Sequence, residues 1–441
     1  MYQNNIKQEF TVIPVFAARK FQIMKREDIE IMAPAGSYES LMAAIQGGAD
    51  SVYFGTGQLN MRSGSSNNFS LDDLRNITSI CKKNGLKSYL TLNVVVYDHE
   101  IGEMQKIIDT AVESGITAII ASDLSAINYA FKAGIEVHLS TQLNISNSDS
   151  LKFYSQWADV AVLARELTLD QVRFINETIR EQDIRGPGGD LVRIEMFVHG
   201  ALCMAISGKC YLSLHENNTS ANRGNCYQTC RKSYIVTEKE SGNELEVDNE
   251  FIMSPKDLCT IGFIDKLIDA GAKVFKIEGR ARSAEYVKVV CSCYSEAVTS
   301  VCDGTYTAAK IEAWRERLSA VFNRGFWDGY YLGQRLGEWN DRYGSGATRR
   351  KVYLGKVTNY FTRLNVAEIK VENGDLCKGD KILIMGPTTG VFEYTVGEIR
   401  VDLLETEKAL QGELCSIKTN EFLRRSDKVY KWVLSEDLKD H

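Results

Sequence analysis

Histidine and proline are scarce in this sequence, five of each in 441 residues, and the shortage of histidine limits the chemistry available. His215-Glu216 is not followed by the second histidine of a zinc-protease motif, so a metalloprotease would need another ligand set. Phosphate-loop signatures are missing too. No Walker loop is present, and GTGQLN at Gly55 lacks the third glycine of a dinucleotide fingerprint. Positive charge is not in excess: 52 Lys and Arg face 58 Asp and Glu, a net of -6. That balance argues against wholesale coating of nucleic acid but leaves room for a local basic site. No apolar run reaches the roughly 20 residues that span a bilayer. The apolar patch Phe10 to Ala18 has neither a basic leader nor a small-residue cleavage site, which makes a poor signal peptide. A cytoplasmic protein without membrane contact is expected, with the sequons at Asn144 and Asn218 arising by chance.

Cysteine, by contrast, is plentiful and clustered. Of 11 cysteines, Cys203, Cys210, Cys226 and Cys230 fall in one passage, EMFVHGALCMAISGKCYLSLHENNTSANRGNCYQTC, directly after the apolar run Ile194 to Val198. Cys259 follows in FIMSPKDLC, again past an apolar run, and could reach the same sheet end. In a reducing compartment, clustered thiols bind metal or react more often than they pair as disulfides. Structural zinc sites hold cysteines two to four residues apart, and of the clustered ones only Cys226 and Cys230 are so spaced. The wide C-x6-C-x15-C-x3-C pattern suits a cluster held between loops, which needs only converging thiolates. Spacing alone leaves iron-sulfur and zinc level. A cysteine protease would need Cys203 to meet His199, four residues away, only if that stretch were helical, and no oxyanion-hole signal accompanies them.

From Glu30 onward a unit repeats: apolar strand, turn, amphipathic helix, glycine. The glycine copies are QGGADSVYFG, ESGITAIIAS, KAGIEVHLS and DAGAKVFKIEG, each where a helix C-cap needs positive φ. Strands are predicted near Ile29–Ala33, Ser51–Phe54, Ser88–Val95, Ala118–Ala121, Glu136–Leu139, Val160–Leu163, Arg193–Val198, Phe251–Ser254 and Lys273–Ile277. This is an α/β pattern that fits a (β/α)8 TIM-like barrel with one strand ambiguous, and a doubly wound sheet is the alternative. Function gathers at the C-terminal strand ends of such barrels. Following the predicted strands are Arg62, His138, Gln142, Asn144, Arg165, His199, Glu278 and Arg280. Polar strand ends are common without function. Glu195 and Lys276, however, lie within predicted strands, where buried charges need partners. They are expected to pair inside the barrel, in a structural or a catalytic role.

Between Tyr306 and Gly346 the chain turns helical and then aromatic, with FNRGFWDGYYLGQRLGEWNDRYGSG either packing a loop or stacking bases. Beyond it the period becomes two, in VYLGKVTNY, LNVAEIKVE, DKILIMGP, FEYTVGEIRV and GELCSIKT. The expected organisation is a disordered extension over 1–23; a barrel over 24–342 with a cysteine insertion at 195–260; a linker over 343–350; and a small antiparallel β-barrel with a basic tail over 351–441.

The motifs FVHGALCMAISGKCYLS, NRGNCYQTCR, SPKDLC and KIEGR together resemble the signature of the collagenase-like peptidase family, and the resemblance runs from MAPAGSYESLMAAIQGGADSVYFG to the C-terminal region. It implies a barrel followed by a β-domain akin to the second domain of elongation factors. Members of that family include the tRNA 5-hydroxyuridine modification protein, an rRNA cytidine hydroxylase and ubiquinone hydroxylation proteins. By this resemblance the chain is expected to carry a [4Fe-4S] cluster, with zinc as the alternative metal, and to hydroxylate the wobble uridine of the tRNA anticodon region with prephenate as co-substrate. The implied ligands are Cys203, Cys210, Cys226 and Cys259, with Cys230 as the alternative fourth. Glu195, His199, Lys276 and Glu278 are the catalytic candidates. Arg62, Gln142, Asn144, Arg165 and Arg280 are the substrate-binding ones, because a dicarboxylate or a phosphate favours a guanidinium. A peptide hydrolase and a non-catalytic RNA-binding partner of a separate oxidoreductase are the rival readings.

Overall fold

The computed structural model describes residues 24–64, 68–219, 221–232, 253–334, 337–341 and 344–436. The expected 1–23 extension and the last residues of the tail lie outside them.

Eight short apolar stretches form parallel strands: β1 (Glu30–Pro34), β2 (Ser51–Phe54), β3 (Lys87–Leu92), β4 (Ala118–Ala121), β5 (Glu136–Leu139), β6 (Val160–Val162), β7 (Arg193–Ala201) and, after the short β8 (Asp257–Cys259), β9 (Ala272–Ile277). Each of β1 to β7 pairs with its neighbour, and β9 pairs with both β1 and β7, which closes the barrel. Closure removes the free edges that a doubly wound sheet would leave. The TIM-like reading of the sequence is therefore the observed fold.

Helices cover the outside because each carries one apolar stripe toward the strands. They are α1 (Tyr38–Gln46), α2 (Leu74–Lys83), α3 (Ile101–Ser114), α4 (Leu124–Lys132), α5 (Ser148–Tyr154), α6 (Leu169–Glu181), α7 (Tyr211–Asn217), α8 (Ile264–Asp269), α9 (Ala284–Cys302) and α10 (Ala308–Ala320). Side chains of Ser37, Asp123, Asn147, Thr168 and Thr307 accept from backbone N–H groups in the first turns of α1, α4, α5, α6 and α10. Gly48, Gly115, Gly134 and Gly271, from the four repeat copies, have φ of 75°, 74°, 76° and 96°, as a glycine after a helix should.

The ambiguous strand resolves differently from expectation. Of Phe251–Ser254, the first two residues lie outside the described set, and Met253 and Ser254 are not in a strand. Instead β8, three residues later, runs antiparallel to the end of β7, pairing Cys259 with His199 and Asp257 with Ala201. The reason is that β7 overshoots the barrel and leaves an unpaired edge, while Pro255 has no N–H to donate, so the ladder starts after it. A two-residue strand, β10 (Phe326–Trp327), pairs with β8 in turn.

The C-terminal part is an eight-stranded antiparallel sheet between Arg349–Phe361 and Lys428–Leu434, with a separate two-stranded ribbon and its own apolar core, including Leu354, Ile369, Ile384 and Ile417. The expected linker is shorter at its end than 350, because Arg349, Arg350 and Lys351 already belong to the first strand. This domain is fastened to the barrel through α1 and α9. Gln46 donates to the Thr389 carbonyl (2.9 Å) and accepts from the Val391 N–H (2.9 Å), Lys288 donates to the Val391 carbonyl (2.7 Å), and Lys351 pairs with Glu285 (2.9 Å). Among the described residues no helix is long and apolar enough to cross a membrane.

Candidate functional site

The C-terminal strand ends surround a cavity of about 130 Å³. Five cationic side chains line it, Arg62, Arg165, Arg231, Lys276 and Arg280, against one carboxylate, Glu278. The KIEGR motif supplies three of these groups because it carries β9 out of the barrel: Lys276 points into the interior, and Glu278 and Arg280 follow at the rim.

Glu278 is the anchor of the cationic wall. Arg62 Nη2 lies 2.8 Å from its Oε1, and the Tyr53 hydroxyl donates to its Oε2 at 3.2 Å. Burial pushes the Glu278 carboxyl up, but Arg62, Arg165 and Arg280 outweigh it and bring the pKa down to about 2. Arg280, 6% exposed, donates from Nη1 to Asn60 Oδ1 (3.0 Å) and Thr91 Oγ1 (2.8 Å). Burial lowers its pKa to about 10, so it keeps its charge at neutral pH. Arg165 stacks on the Phe197 ring at 3.8 Å and donates to the Ala201 carbonyl (3.3 Å), while its buried Nε has no hydrogen-bond partner among the described residues. A buried, unpaired guanidinium N–H beside a cavity is a donor available to an anion.

Lys276 pairs with Glu195 deep in the barrel, Nζ to Oε1 2.7 Å, with side chains 6% and 0% exposed. Its ammonium also lies 4.7 Å from the centre of the Tyr53 ring. The expected pairing of these two strand charges is thus present. Gln142 lines the cavity, whereas Asn144 does not: at φ 52° it turns its side-chain amide back to the Gln142 carbonyl (3.1 Å). His138, counted from the sequence at the rim, lies inside the barrel with no exposure. His199 is likewise buried, packed by Tyr286, Tyr294 and Phe326, and burial lowers its pKa to about 3. It does not line the cavity, and neither does any other histidine among the described residues.

Cys203, Cys226 and Cys230 line the same cavity. Cys210 caps α7, its sulfur accepting from the Ser213 N–H (3.5 Å) and hydroxyl (3.4 Å). Burial raises the Cys203 and Cys230 thiols, and Cys210 and Cys226 add to the rise in both. Cys259 belongs to a different environment. It is 5% exposed on β8, with the Tyr294 hydroxyl 4.0 Å from its sulfur and Cys293 nearby on α9. The structure therefore groups Cys230, and not Cys259, with the other three. Cys259, the fourth ligand that the family resemblance implies, sits on β8, which runs back along β7 and pairs it with His199.

Four cysteines are the donor set that either a zinc ion or an iron-sulfur cluster takes. Among the described residues no three His, Cys, Asp or Glu side chains are placed to hold a metal ion.

Sequence reasoning missed Arg231. Its guanidinium donates to Ser254 Oγ (3.0 Å), the Pro255 carbonyl (2.5 Å) and the Leu202 carbonyl (2.7 Å), tying the cysteine loop to the end of β7 and the start of β8. Its position next to Cys230 was the available signal.

The sequence profile of Peptidase family U32 matches residues 36–341, which takes in the barrel from α1 onward, the cysteine loop and every cavity residue named above. The chain belongs to peptidase family U32. Similar family members have different functional names. A collagenase of Porphyromonas gingivalis is 61% identical over 414 residues, 94% of this chain and 100% of the relative. An uncharacterised protease of Methanocaldococcus jannaschii is 38% identical over 407 residues, 91% and 98% of the two chains. The tRNA hydroxylation protein P1 of Bacillus subtilis is 31% identical over 378 residues, 84% and 86% of the two.

Proposed function

We propose that this U32 protein hydroxylates RNA, at position 5 of the wobble uridine of tRNA, with prephenate as the linked metabolite. The observation that carries the reading is the cavity itself, in which five cations and one carboxylate face three of the four grouped thiols. A surplus of guanidinium groups in a buried site favours a small dianionic carboxylate or a phosphate. Similarity to the tRNA hydroxylation protein supports the same class. Cys203, Cys210, Cys226 and Cys230 would hold a [4Fe-4S] cluster, which supplies one-electron chemistry when bound. The chain's own residues bind and orient. Arg165 offers its unpartnered Nε–H, Arg280 is fixed by Asn60 and Thr91, Glu278 holds Arg62 in place, and Lys276 presents an ammonium at the cavity floor.

The second reading is the peptide hydrolase named for the Porphyromonas gingivalis relative, favoured by that similarity. Against it, the cavity contains no histidine to serve as a base beside Cys203. The test is nucleoside analysis of tRNA from cells that lack the protein and are complemented with wild type or Arg280→Lys, beside a gelatin-cleavage assay of the purified protein. 5-Hydroxyuridine restored by wild type and lost in the folded Arg280→Lys variant is expected. Gelatin cleavage without any hydroxylated uridine would establish the hydrolase. Binding of tRNA without either activity would leave a partner protein.

A further inference from the structure

TIM-barrel interiors are ordinarily filled by apolar layers. Here Met32, Tyr53, Tyr89, Ala118, Ile120, Val160 and Val274 form such a filling. A line of ionisable groups crosses it from one mouth to the other. At the N-terminal mouth the first residues of β3, β5 and β7, namely Lys87, Glu136 and Arg193, border a solvent-open hollow, and the Glu136 side chain is 29% exposed. Arg193 pairs with Glu136 (2.8 Å) and Glu30 (3.3 Å), and Lys87 with Glu30 (2.9 Å). One layer deeper, His138 Nε2 is 3.1 Å from Glu136 Oε1. Its Nδ1 faces Glu195 Oε2 at 3.7 Å, and the other oxygen of Glu195 holds Lys276, whose ammonium reaches the cavity.

The gap between His138 Nδ1 and Glu195 Oε2 is the informative feature. Both atoms are fully buried, and neither has a hydrogen-bond partner among the described residues. A purely structural network would be expected to satisfy them, because an unmet buried polar atom costs about 1–3 kcal/mol. Closing the gap by about half an ångström would make a hydrogen bond. The other groups facing the imidazole do not compete for Nδ1. Tyr89 of β3 packs against it at a tilt, ring centres 4.5 Å apart, and gives its hydroxyl to Glu30, while its cross-strand neighbours on β4 and β6 are the apolar Ile120 and Val160. Burial lowers the His138 pKa, but Glu136 and Glu195 outweigh it and raise it, which suits a ring that accepts a second proton.

We propose that Glu136, His138 and Glu195 form a proton path through the barrel, connecting solvent at the N-terminal mouth to Lys276 at the cavity floor. A proton taken up by Glu136 passes to His138 Nε2, the imidazolium releases its Nδ1 proton to Glu195 Oε2, and Glu195 returns a proton to Lys276 Nζ. One proton enters at the mouth for each one that Lys276 gives up in the cavity, and rotation of the ring resets the tautomer. The path keeps Lys276 in contact with bulk protons when a bound substrate closes the C-terminal mouth. It does not rest on which reaction the cavity performs.

The test is solvent exchange of the His138 ring N–H, followed by NMR on protein labelled with 15N-histidine, against the backbone amides of Val137 and Leu139 as the measure of opening. In wild type the ring hydrogen should exchange at least tenfold faster than those amides. Glu136→Gln, made at the partly exposed mouth, should slow the ring at least tenfold with the amides unchanged, and adding Lys276→Met should remove the remaining exchange relative to the amides. A ring hydrogen as slow as its neighbouring amides, or one indifferent to Glu136→Gln, overturns the path. A double variant no slower than the single one overturns its link to Lys276.

Discussion

Lys276→Met tests how the interior charges are held. The Lys276–Glu195 contact is 2.7 Å, with the two side chains 6% and 0% exposed. An exposed pair at that distance would contribute about 0–1 kcal/mol. A buried one behaves differently, since removing one partner strands the other, at a cost of about 3–5 kcal/mol. Methionine has similar length and no charge, so the loss should come from Glu195 rather than from a void. The pH dependence identifies the cause. In the native protein, burial pushes the Glu195 carboxyl up, and Lys276 followed by His138 outweigh it, so its pKa lies below the usual value. A depressed carboxyl adds stability above its unfolded pKa, near 4.3, and loses it as pH falls through the folded value. Without Lys276, burial dominates, the folded pKa rises above the unfolded one, and the penalty shrinks as pH falls. Urea denaturation of both proteins should therefore show a deficit of about 3–5 kcal/mol at pH 7 that narrows by pH 5. The double variant Glu195→Leu with Lys276→Met should recover most of it. A deficit below about 1 kcal/mol, or one that widens on acidification, would refute the reasoning.

Other expectations follow from the same structure. Cys230→Ala should cut the iron and sulfide of anaerobically purified protein from about four each to a small fraction, whereas Cys259→Ala should retain both; elemental and sulfide analysis decides, and the reverse pattern would restore Cys259 as the fourth ligand. His138, with its pKa raised by Glu136 and Glu195 against the effect of burial, adds stability that is complete below the unfolded value near 6.5 and is lost as pH rises through the folded value; thermal melts of wild type and His138→Gln should converge on the alkaline side. Gly200→Ala should destabilise by more than about 1 kcal/mol, because at φ 103° a Cβ would stand 2.4 Å from the Glu278 carbonyl; a melt unchanged within error would contradict this.

The sequence by itself determined the repeated strand-helix unit, which suits a barrel or a doubly wound sheet, and the pairing of β9 with both β1 and β7 decided for the barrel. Apolar runs of three to nine residues separated by helical periods and αL glycines are local properties, set by burial and backbone sterics within each segment. Ser51–Phe54, Ala118–Ala121 and Glu136–Leu139 are read to the residue for that reason. Glu195 and Lys276 were also legible, because a charge inside an apolar strand requires a partner. What only the tertiary structure decided is which thiols and cations meet. Cys259 is separated from the cysteine loop because β8 turns back along β7, a pairing fixed by an overshooting edge rather than by spacing. Arg231 joins the cavity through carbonyls that distant segments bring to it. His138, polar and close to a strand end in sequence, faces inward because side chains alternate along β5 and closure of the barrel makes one of those faces the interior.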